Sequence, residues 1–221
     1  MSLLVKICGL STRETLDVAL GAGADMVGFV FFPPSPRHLS LETAQELGKQ
    51  ARGRAVKVAL TVDADDALFE NIIAALKPDL LQLHGHESPQ RVAAIRESFG
   101  VPVMKVLPIE TKADLAAIAP YTGVADRLLF DARPPRDATR PGGLGKAFDW
   151  RLLQDLDLSI PFMLAGGVNA GNVAEALAIT KAGGVDVSSG VESAPGVKDP
   201  DKIRAFIRAA RASQSAGMPV R

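Results

Sequence analysis

The chain has 221 residues, of which 47% are hydrophobic and 23% are charged. These proportions are ordinary for a globular domain with enough apolar residues to build a core. Lysine plus arginine and aspartate plus glutamate number 25 each, so no net charge attracts a nucleic acid or an anionic membrane. Any anion that the protein binds must therefore be held by local geometry.

The cysteine content and the apolar runs restrict the class of protein further. A single cysteine excludes an internal disulfide, and no cluster of cysteine and histidine has the spacing of metal ligands. The amino-terminus lacks the features of a signal peptide, and no apolar run approaches the roughly 18 residues that span a bilayer. We therefore expect a cytoplasmic protein that binds no metal and has neither a nucleic acid nor a membrane as partner.

Eight short apolar runs alternate with stretches of helical periodicity along the chain. The runs are rich in Val, Leu, Ile and Phe, and their first residues lie 21 to 34 positions apart. The predicted strands are 3–8, 26–31, 56–62, 80–84, 101–106, 127–131, 161–165 and 185–188. The predicted helices are 12–20, 41–51, 66–76, 89–98, 112–118, 150–155, 173–179 and 200–212, and a loop rich in Gly, Pro and Arg occupies 132–146.

This spacing is the period of a repeated strand–helix unit, and eight such units close a barrel. We therefore predict an α/β fold, a single-domain (β/α)8 TIM barrel over residues 1–212, followed by a frayed tail over 213–221. The main alternative is a doubly wound open sheet, which usually has about five or six strands and, when it binds a dinucleotide, a G-x-G-x-x-G turn after the first strand. Here that turn reads C-G-L-S.

Cys8 is the only cysteine and ends the first predicted strand, directly before Gly9. The spacing of Ser11 and Glu14 matches a capping box that would open the following helix. In a parallel α/β protein, ligands bind at the carboxyl ends of the strands, where the loops converge. Cys8 is thus a candidate reactive group, and the alternative is that it is a small buried apolar residue.

Two glycine-rich loops follow the seventh and eighth predicted strands. The first contains Gly166 and Gly167, whose lack of side chains lets backbone N–H groups approach an anion. The second contains Ser188, Ser189 and Gly190 and adds hydroxyl donors. The loops after these two strands form the recurrent phosphate site of (β/α)8 barrels, so we predict a phosphate ligand there, although paired glycines also occur in plain turns.

Asp131 ends the sixth predicted strand and is expected across the barrel mouth from Cys8. A thiol and a carboxyl group that face each other over a phosphate site suit acid–base chemistry on a sugar phosphate. Arg37 lies after the second strand in a loop stiffened by prolines and is a candidate clamp for a second anionic group. The alternatives are an aspartate that caps a turn and an arginine that is solvated.

Three further observations concern side chains that share a strand face, because residues two apart on a strand point the same way. Gln82 and His84 share a face of the fourth predicted strand and are candidate pocket residues, although satisfied core residues would show the same pattern. Lys6 points the same way as Cys8, into the barrel. We predict an ion pair between Lys6 and Asp186 of the neighbouring eighth strand, since a charge inside a barrel must be paired.

A set of specific motifs occurs in order along the chain. It consists of K-I-C-G-L at the first strand, G-F-V-F and S-P-R at the second, Q-L-H-G at the fourth, L-F-D at the sixth, G-G-x-G-K-x-F-D-W over 142–150, L-A-G-G and D-V-S-S-G-V-E. With these motifs, nearly the whole chain resembles the phosphoribosylanthranilate isomerase family of tryptophan biosynthesis. One departure is Leu144, where the family usually has threonine, so this loop loses a hydroxyl.

The resemblance implies a cofactor-free (β/α)8 barrel that catalyses an Amadori rearrangement of a small sugar-phosphate substrate. It implies Cys8 as general base, Asp131 as general acid and Arg37 on the anthranilate carboxylate. It also implies that the substrate contacts Gly143, Gly145 and Lys146, and that its phosphate contacts Gly166, Gly167, Ser188, Ser189 and Gly190.

In the implied reaction, Asp131 protonates the ring oxygen of the sugar as the ring opens to an iminium, and Cys8 then removes the proton from C2. Asp131 must therefore carry a proton when the substrate arrives, which burial favours. Cys8 must be at least partly thiolate, which a helix amino-terminus near Ser11 favours.

Two other functions stay open from the sequence. A histidine-pathway aldose–ketose isomerase, or a barrel that serves both pathways, resembles a two-fold repeat with a phosphate site in each half and an aspartate in place of Cys8. No Gly-Gly loop follows the third or fourth predicted strand here. A non-catalytic phosphate-binding barrel would need neither Cys8 nor Asp131. Either a monomer or a homodimer agrees with the sequence.

Overall fold

The described residues form a closed barrel of eight parallel strands, as predicted. It is described by a computed structural model that covers residues 2–135, 138, 140–143, 145 and 147–215. The strands follow one another in chain order around the barrel, and β1 pairs with both β2 and β8, which excludes the open sheet. Their bounds are β1 (Leu4–Cys8), β2 (Met26–Phe31), β3 (Val56–Thr61), β4 (Leu80–Leu83), β5 (Val103–Ile109), β6 (Arg127–Ala132), β7 (Phe162–Leu164) and β8 (Gly184–Val187).

Within the part of the chain that the structure describes, six α-helices cover the outside of the barrel. They are α1 (Arg13–Gly21), α2 (Leu41–Ala51), α3 (Asp66–Leu76), α4 (Pro89–Phe99), α5 (Val173–Thr180) and α6 (Pro200–Ser215). The α-helices predicted at 112–118 and 150–155 are wrong, because 3₁₀ turns take their places at Lys112–Ala117 and Trp150–Leu153. After the first segment, Pro120 prevents an α-helix from continuing, so only a short helical stretch is possible there. In the second segment, apolar residues recur every three positions from Trp150, which suits a 3₁₀ turn.

Side-chain caps begin several of the helices. The hydroxyls of Ser40 and Ser88 cap α2 and α4. The cap of α1 is Thr12, whose hydroxyl accepts a hydrogen bond from the N–H of Thr15 at 3.2 Å. The capping box predicted from Ser11 is therefore wrong, and α1 begins one residue farther from β1.

The carboxyl-terminal part of the chain departs most from the prediction. An unpredicted antiparallel hairpin lies between β8 and α6, with strands β9 (Glu192–Ala194) and β10 (Val197–Lys198). Gly196 makes its turn at a φ of 84°, a conformation that favours glycine. The helix α6 continues beyond the predicted end at 212, and residues 216–221 lie outside the described part of the chain. Within the described residues, no helix is long and apolar enough to cross a membrane.

Buried side chains form one layer between strands and helices and a second layer inside the barrel. The inner layer contains Met26, Val58, Leu80, Met104, Val106, Leu129, Met163 and Ala165. Lys6 also points inward and is fully buried, and its Nζ lies 2.9 Å from Oδ1 of Asp186 on the neighbouring strand β8. The ion pair predicted beneath the site therefore forms.

A second buried ion pair fixes the loop that follows β4. The Nζ of Lys105 lies 2.6 Å from Oε2 of Glu87, and both side chains are almost completely buried. Lys105 also donates to the carbonyl oxygen of Gly85 at 2.7 Å, while Glu87 accepts from the N–H groups of Gly85 and Asp63. This network ties the β3 and β4 loops to β5 at the carboxyl end of the barrel.

We predict that Glu87→Gln destabilises the fold strongly, because it leaves the Lys105 ammonium buried without its counter-charge. Removal of one partner of a buried ion pair typically lowers the free energy of unfolding by about 3–5 kcal/mol. The matched control is Glu46→Gln, which breaks an exposed pair with Arg13 and should change it by less than about 1 kcal/mol. Urea denaturation measures both values, and equal losses in the two variants would contradict the assigned role of the pair.

Candidate active site

A cavity opens at the carboxyl ends of the barrel strands. Every predicted site residue within the described part of the chain lines it, apart from the buried Lys6. Lys146, together with Leu144, lies outside the described residues. The predicted residues that line the cavity are Cys8, Arg37, Gln82, His84, Asp131, Gly143, Gly145, Gly166, Gly167, Asp186, Ser188, Ser189 and Gly190.

Cys8 lies at the end of β1 and is almost completely buried, with 3% of its surface exposed. Burial raises the pKa of the Cys8 thiol, while the positive charge of Lys6 acts to lower it and the negative charge of Asp186 adds to the increase. Burial outweighs the favourable charge of Lys6, and a contribution from the helix amino-terminus to the thiolate form stays a prediction. In this geometry the thiol is the favoured form.

Asp131 lies at the end of β6, with its two carboxyl oxygens in different surroundings. Oδ1 accepts a hydrogen bond from the N–H of Ala132 at 2.8 Å, and Oδ2 lies 3.5 Å from Nε2 of His84. Gly142 packs against this pair so closely that a Cβ there would lie 2.6 Å from the His84 ring and 2.8 Å from Oδ2. The loop after β6 can thus close over Asp131 and His84 only because residue 142 is glycine.

Arg37 is neither solvated nor at the rim, because only 4% of its surface is exposed. Its Nε and Nη2 donate to the two carboxylate oxygens of Glu192 at 2.6 and 2.7 Å, and Nη2 lies 3.3 Å from the carbonyl oxygen of Gly143. The two-pronged contact expected for a substrate carboxylate is therefore made by Glu192. Only the N–H groups on Nη1 have no protein acceptor among the described residues.

Glu192 also binds Lys198, and no role was predicted for either residue from the sequence. Lys198 Nζ lies 2.7 Å from Glu192 Oε1, 2.9 Å from the carbonyl oxygen of Ser188 and 3.2 Å from its hydroxyl. Burial acts to raise the pKa of Glu192, but Arg37 and Lys198 outweigh it and lower the pKa to about 2. Burial lowers the pKa of Lys198 to about 8, although the charge of Glu192 opposes this. Near neutral pH the cluster thus has two cations and one anion.

The sequence marks Glu192 more clearly than Lys198 as a site residue. Glu192 is the last residue of the D-V-S-S-G-V-E motif, so its position was available as a sequence signal. Lys198 becomes significant only when the β9–β10 hairpin folds back onto the end of β8. Nothing in its local sequence marks it as part of the site.

The two glycine-rich loops have the geometry of an anion site. Gly166 and Gly167 have φ values of 80° and 70°, which favour glycine. A Cβ on Gly166 would lie 2.6 Å from the backbone nitrogen of Ala132, at the end of β6, and a Cβ on Gly167 would lie 2.6 Å from that of Ala147. Among the described residues, the N–H groups of Gly166, Gly167 and Gly190 have no backbone acceptor. These donors and the Ser189 hydroxyl border the cavity beside Ser188 and its partner lysine.

Gln82 is the least satisfied polar side chain of the cavity wall. It is 1% exposed, and neither its amide oxygen nor its amide nitrogen has a hydrogen-bond partner among the described residues. Buried polar groups are normally hydrogen-bonded, so an orphaned amide that lines a cavity points to a ligand contact. This observation favours the pocket interpretation of Gln82 over that of a satisfied core residue.

Comparison with known proteins gives a consistent result. A family model described as N-(5'phosphoribosyl)anthranilate (PRA) isomerase matches residues 5–209. The N-(5'-phosphoribosyl)anthranilate isomerase of Bradyrhizobium diazoefficiens is 70% identical over 216 residues, which are 98% of this chain and 97% of that protein. The phosphoribosyl anthranilate isomerase structure from Thermotoga maritima is similar with a TM-score of 0.86 and 32% identity, over 95% of this chain and 99% of that one.

A second solved structure includes a bound compound. It is a phosphoribosyl anthranilate isomerase in complex with reduced 1-(o-carboxyphenylamino)-1-deoxyribulose 5-phosphate. It is similar to this chain with a TM-score of 0.80 and 29% identity, over 95% of this chain and 99% of that one.

The low pKa of Glu192 predicts a pH-dependent contribution to stability. The folded carboxylate holds its proton only below about pH 2, whereas the unfolded one takes it up near its ordinary pKa of 4.5, so the unfolded state binds more protons between these values. The contribution, up to about 3 kcal/mol, is present above pH 4.5 and is lost as the pH falls toward 2. Glu192→Gln should therefore destabilise the protein most near neutral pH.

Urea unfolding of the wild type and Glu192→Gln at a series of pH values from neutral to acidic measures this difference. We expect the difference in unfolding free energy between the wild type and Glu192→Gln to become smaller as the pH is lowered below 4.5. Glu97→Gln, which changes an exposed glutamate on α4, serves as the control and should show no such narrowing. A difference in unfolding free energy between wild type and Glu192→Gln that stays constant with pH would rule out this role of Glu192.

Proposed function

Because the chain belongs to the phosphoribosylanthranilate isomerase family, we propose that Cys8 and Asp131 are its general base and general acid. The protein is an isomerase of tryptophan biosynthesis that converts N-(5-phosphoribosyl)anthranilate to 1-(2-carboxyphenylamino)-1-deoxyribulose 5-phosphate by an Amadori rearrangement. One observation carries the assignment of roles. A thiol at the end of β1 and a carboxyl group at the end of β6 line the same cavity as the two glycine-rich loops. We expect the protein to be located in the cytoplasm, because it has a single cysteine and no disulfide.

The acid step begins at Oδ2 of Asp131. Its other oxygen, Oδ1, already accepts the N–H of Ala132, so Oδ2 on the His84 side is the oxygen that we assign the transferable proton. Asp131 gives this proton to the ring oxygen of the ribose while the lone pair of the anthranilate nitrogen opens the ring. The products of this step are an open-chain iminium and the Asp131 carboxylate, which His84 faces.

The base step takes place at Cys8. The Cys8 sulfur, as thiolate, removes the proton from C2 of the sugar, and the electron pair of that bond moves toward the iminium nitrogen. The resulting enolamine tautomerises to the ketone. The substrate nitrogen accepts the electrons, so the residues have only to hold the substrate and move two protons.

The two ends of the substrate are bound by different chemistry. We place the phosphate at the glycine-rich loops 166–167 and 188–190, whose free N–H groups and hydroxyls suit its oxygens. We place the anthranilate carboxylate at Nη1 of Arg37, since Glu192 occupies the other side of the guanidinium. Gln82 is assigned to a polar group of the sugar, because its amide lacks a protein partner. A contact from Lys146 stays a prediction.

The charge of the carboxylate end distinguishes this substrate from that of the histidine pathway. Arg37, Lys198 and Glu192 sum to one net positive charge near neutral pH, which matches a carboxylate better than a second phosphate. The orphaned N–H groups of Gly166, Gly167 and Gly190 supply the phosphate site, which Ser188 connects to Lys198. These features favour phosphoribosylanthranilate over a substrate with a phosphate at each end.

We predict that Cys8→Ala and Asp131→Asn each lower kcat by about 10²- to 10⁴-fold, the usual contribution of a general acid or base. Steady-state kinetics with phosphoribosylanthranilate formed in place, together with thermal unfolding and product binding, would test this. The fold and the affinity for product should change little. The control is Asp155→Asn, an exposed aspartate that should keep full activity. A Cys8→Ala enzyme with nearly full kcat, when chemistry limits the rate, would mean that another group is the base.

We predict that Arg37→Ala mainly raises KM, because it removes a charged hydrogen-bonded contact to the substrate. The loss should be about 1.5–3 kcal/mol, or about 10- to 100-fold in KM. Arg37→Lys should recover only part of it, since an ammonium cannot bind Glu192 and the substrate as the guanidinium does. Arg52→Ala, on an exposed arginine after α2, is the control.

Two outcomes would count against these assignments. An unchanged KM in Arg37→Ala would remove the carboxylate site. Efficient turnover of the histidine-pathway substrate by the wild type would show that the function is broader than a single isomerisation.

A further inference from the structure

Lys6 lies directly below Cys8 inside the barrel. The two residues are two positions apart on β1, so both side chains point inward. The Cys8 sulfur and Lys6 Nζ also both lie close to Gly28 on the neighbouring strand β2, which has no side chain to separate them. A Cβ on Gly28 would lie 2.9 Å from the Cys8 sulfur and 3.1 Å from Lys6 Nζ, so the two atoms are no more than about 6 Å apart. Charges at this separation act strongly on each other inside a protein.

The charge of Lys6 is permanent under working conditions. Burial acts to lower the pKa of its ammonium, but Asp186 and Cys8 together outweigh burial and raise it. Lys6 Nζ donates to Asp186 Oδ1 at 2.9 Å, and no part of Lys6 is exposed. The residue therefore neither titrates near neutral pH nor gives up protons in the reaction, and acts as a fixed positive charge.

The other charges around Cys8 come from three further elements. Asp186 on β8 disfavours a negative charge on the sulfur, whereas Lys198 on β10 favours it. Arg37, after β2, packs against Gly9, the residue next to Cys8. Lys198 and Arg37 share Glu192 as a counter-charge, whereas the counter-charge of Lys6 among the described residues is Asp186. Lys6 is thus the cation whose charge acts most strongly on the sulfur.

We propose that Lys6 is a positioning residue whose ammonium stabilises the thiolate form of Cys8, and that Asp186 holds this ammonium in place and limits its effect. The inference rests on the proposed function in taking Cys8 as the base. The Cys8 thiolate takes the C2 proton of the substrate and becomes a thiol, while Lys6 keeps all of its protons. A purely structural Lys6–Asp186 pair would stabilise the barrel and leave the ionisation of Cys8 unchanged.

The chain offers a direct measurement, because Cys8 is its only cysteine. The ultraviolet absorbance of the thiolate, followed against pH and corrected for ionisation of Tyr121 by the same titration of Cys8→Ala, therefore reports Cys8, without substrate and without turnover. We expect Lys6→Met to raise the pKa of Cys8 by about 1 to 3, the usual effect of losing an opposite charge at this distance. We expect Asp186→Asn to lower it, because the ammonium then acts on the sulfur without opposition.

The opposite signs of these two changes distinguish the proposal from a structural role. In Lys6→Met, the acid limb of the kcat profile should move to higher pH together with the thiolate titration, so that part of the lost activity returns in alkaline buffer. Lys6→Arg, which keeps the charge, should keep the pKa of Cys8 closer to that of the wild type. The control is Lys57→Met, which removes a buried lysine on β3 that binds the carbonyl oxygens of Leu76 and Lys77 and should leave the thiolate titration unchanged.

A double variant covers the case in which Lys6→Met fails to fold because Asp186 is left buried and unpaired. Lys6→Met/Asp186→Asn removes both charges, and burial alone should then keep the pKa of Cys8 at or above the wild-type value. An unchanged pKa of Cys8 in Lys6→Met, or a raised pKa of Cys8 in Asp186→Asn, would overturn the proposal. Failure of the proposed function has a different signature, since it would leave Cys8→Ala fully active whatever the titration shows.

Discussion

The pairing of β1 with β8 is the constraint on which the rest of the structure depends. It closes the barrel and sets the register that aligns Lys6 with Asp186. The same register brings the end of β1, with Cys8, next to the loop after β8, with Ser188. The reacting thiol and the anion site are therefore neighbours in space although about 180 residues separate them in the chain. A one-residue slip of this pairing would turn Lys6 out of the barrel and separate the two halves of the site.

Closure also forces the protein to bury charge, and it does so in three compact groups. Lys6 pairs with Asp186 inside the barrel, Lys105 with Glu87 behind the β4 loop, and Glu192 with two cations at the mouth. Such groups are expensive to desolvate and contribute little net stability compared with apolar packing. Two of the three lie next to cavity residues, and the third holds the loop that carries His84. Their positions therefore indicate that these ion pairs organise the site more than they stabilise the fold.

Much of this could be predicted from the sequence, because the strongest signals are local. The eight apolar runs correspond to the eight strands within a few residues, and the ends of those strands lie around one cavity. The Lys6–Asp186 pair also follows from strand alternation once a barrel is assumed. The errors have two kinds of cause, one local and one tertiary. The 3₁₀ turns and the cap at Thr12 are choices between near-equal local conformations. The Arg37–Glu192 contact and Lys198 depend on a hairpin with no clear local signal.

The burial of Cys8 has a consequence for the lifetime of the enzyme in the cell. Oxidants and electrophiles react with the thiolate rather than the thiol, and they must reach the sulfur to do so. Only 3% of Cys8 is exposed and burial favours its protonated form, so the sulfur is shielded in both respects. Conversion to sulfenic acid, and from there to irreversibly oxidised forms, should therefore be slow. The chain has no second thiol that could form a protective internal disulfide with Cys8. Burial is therefore what protects Cys8 from irreversible oxidation.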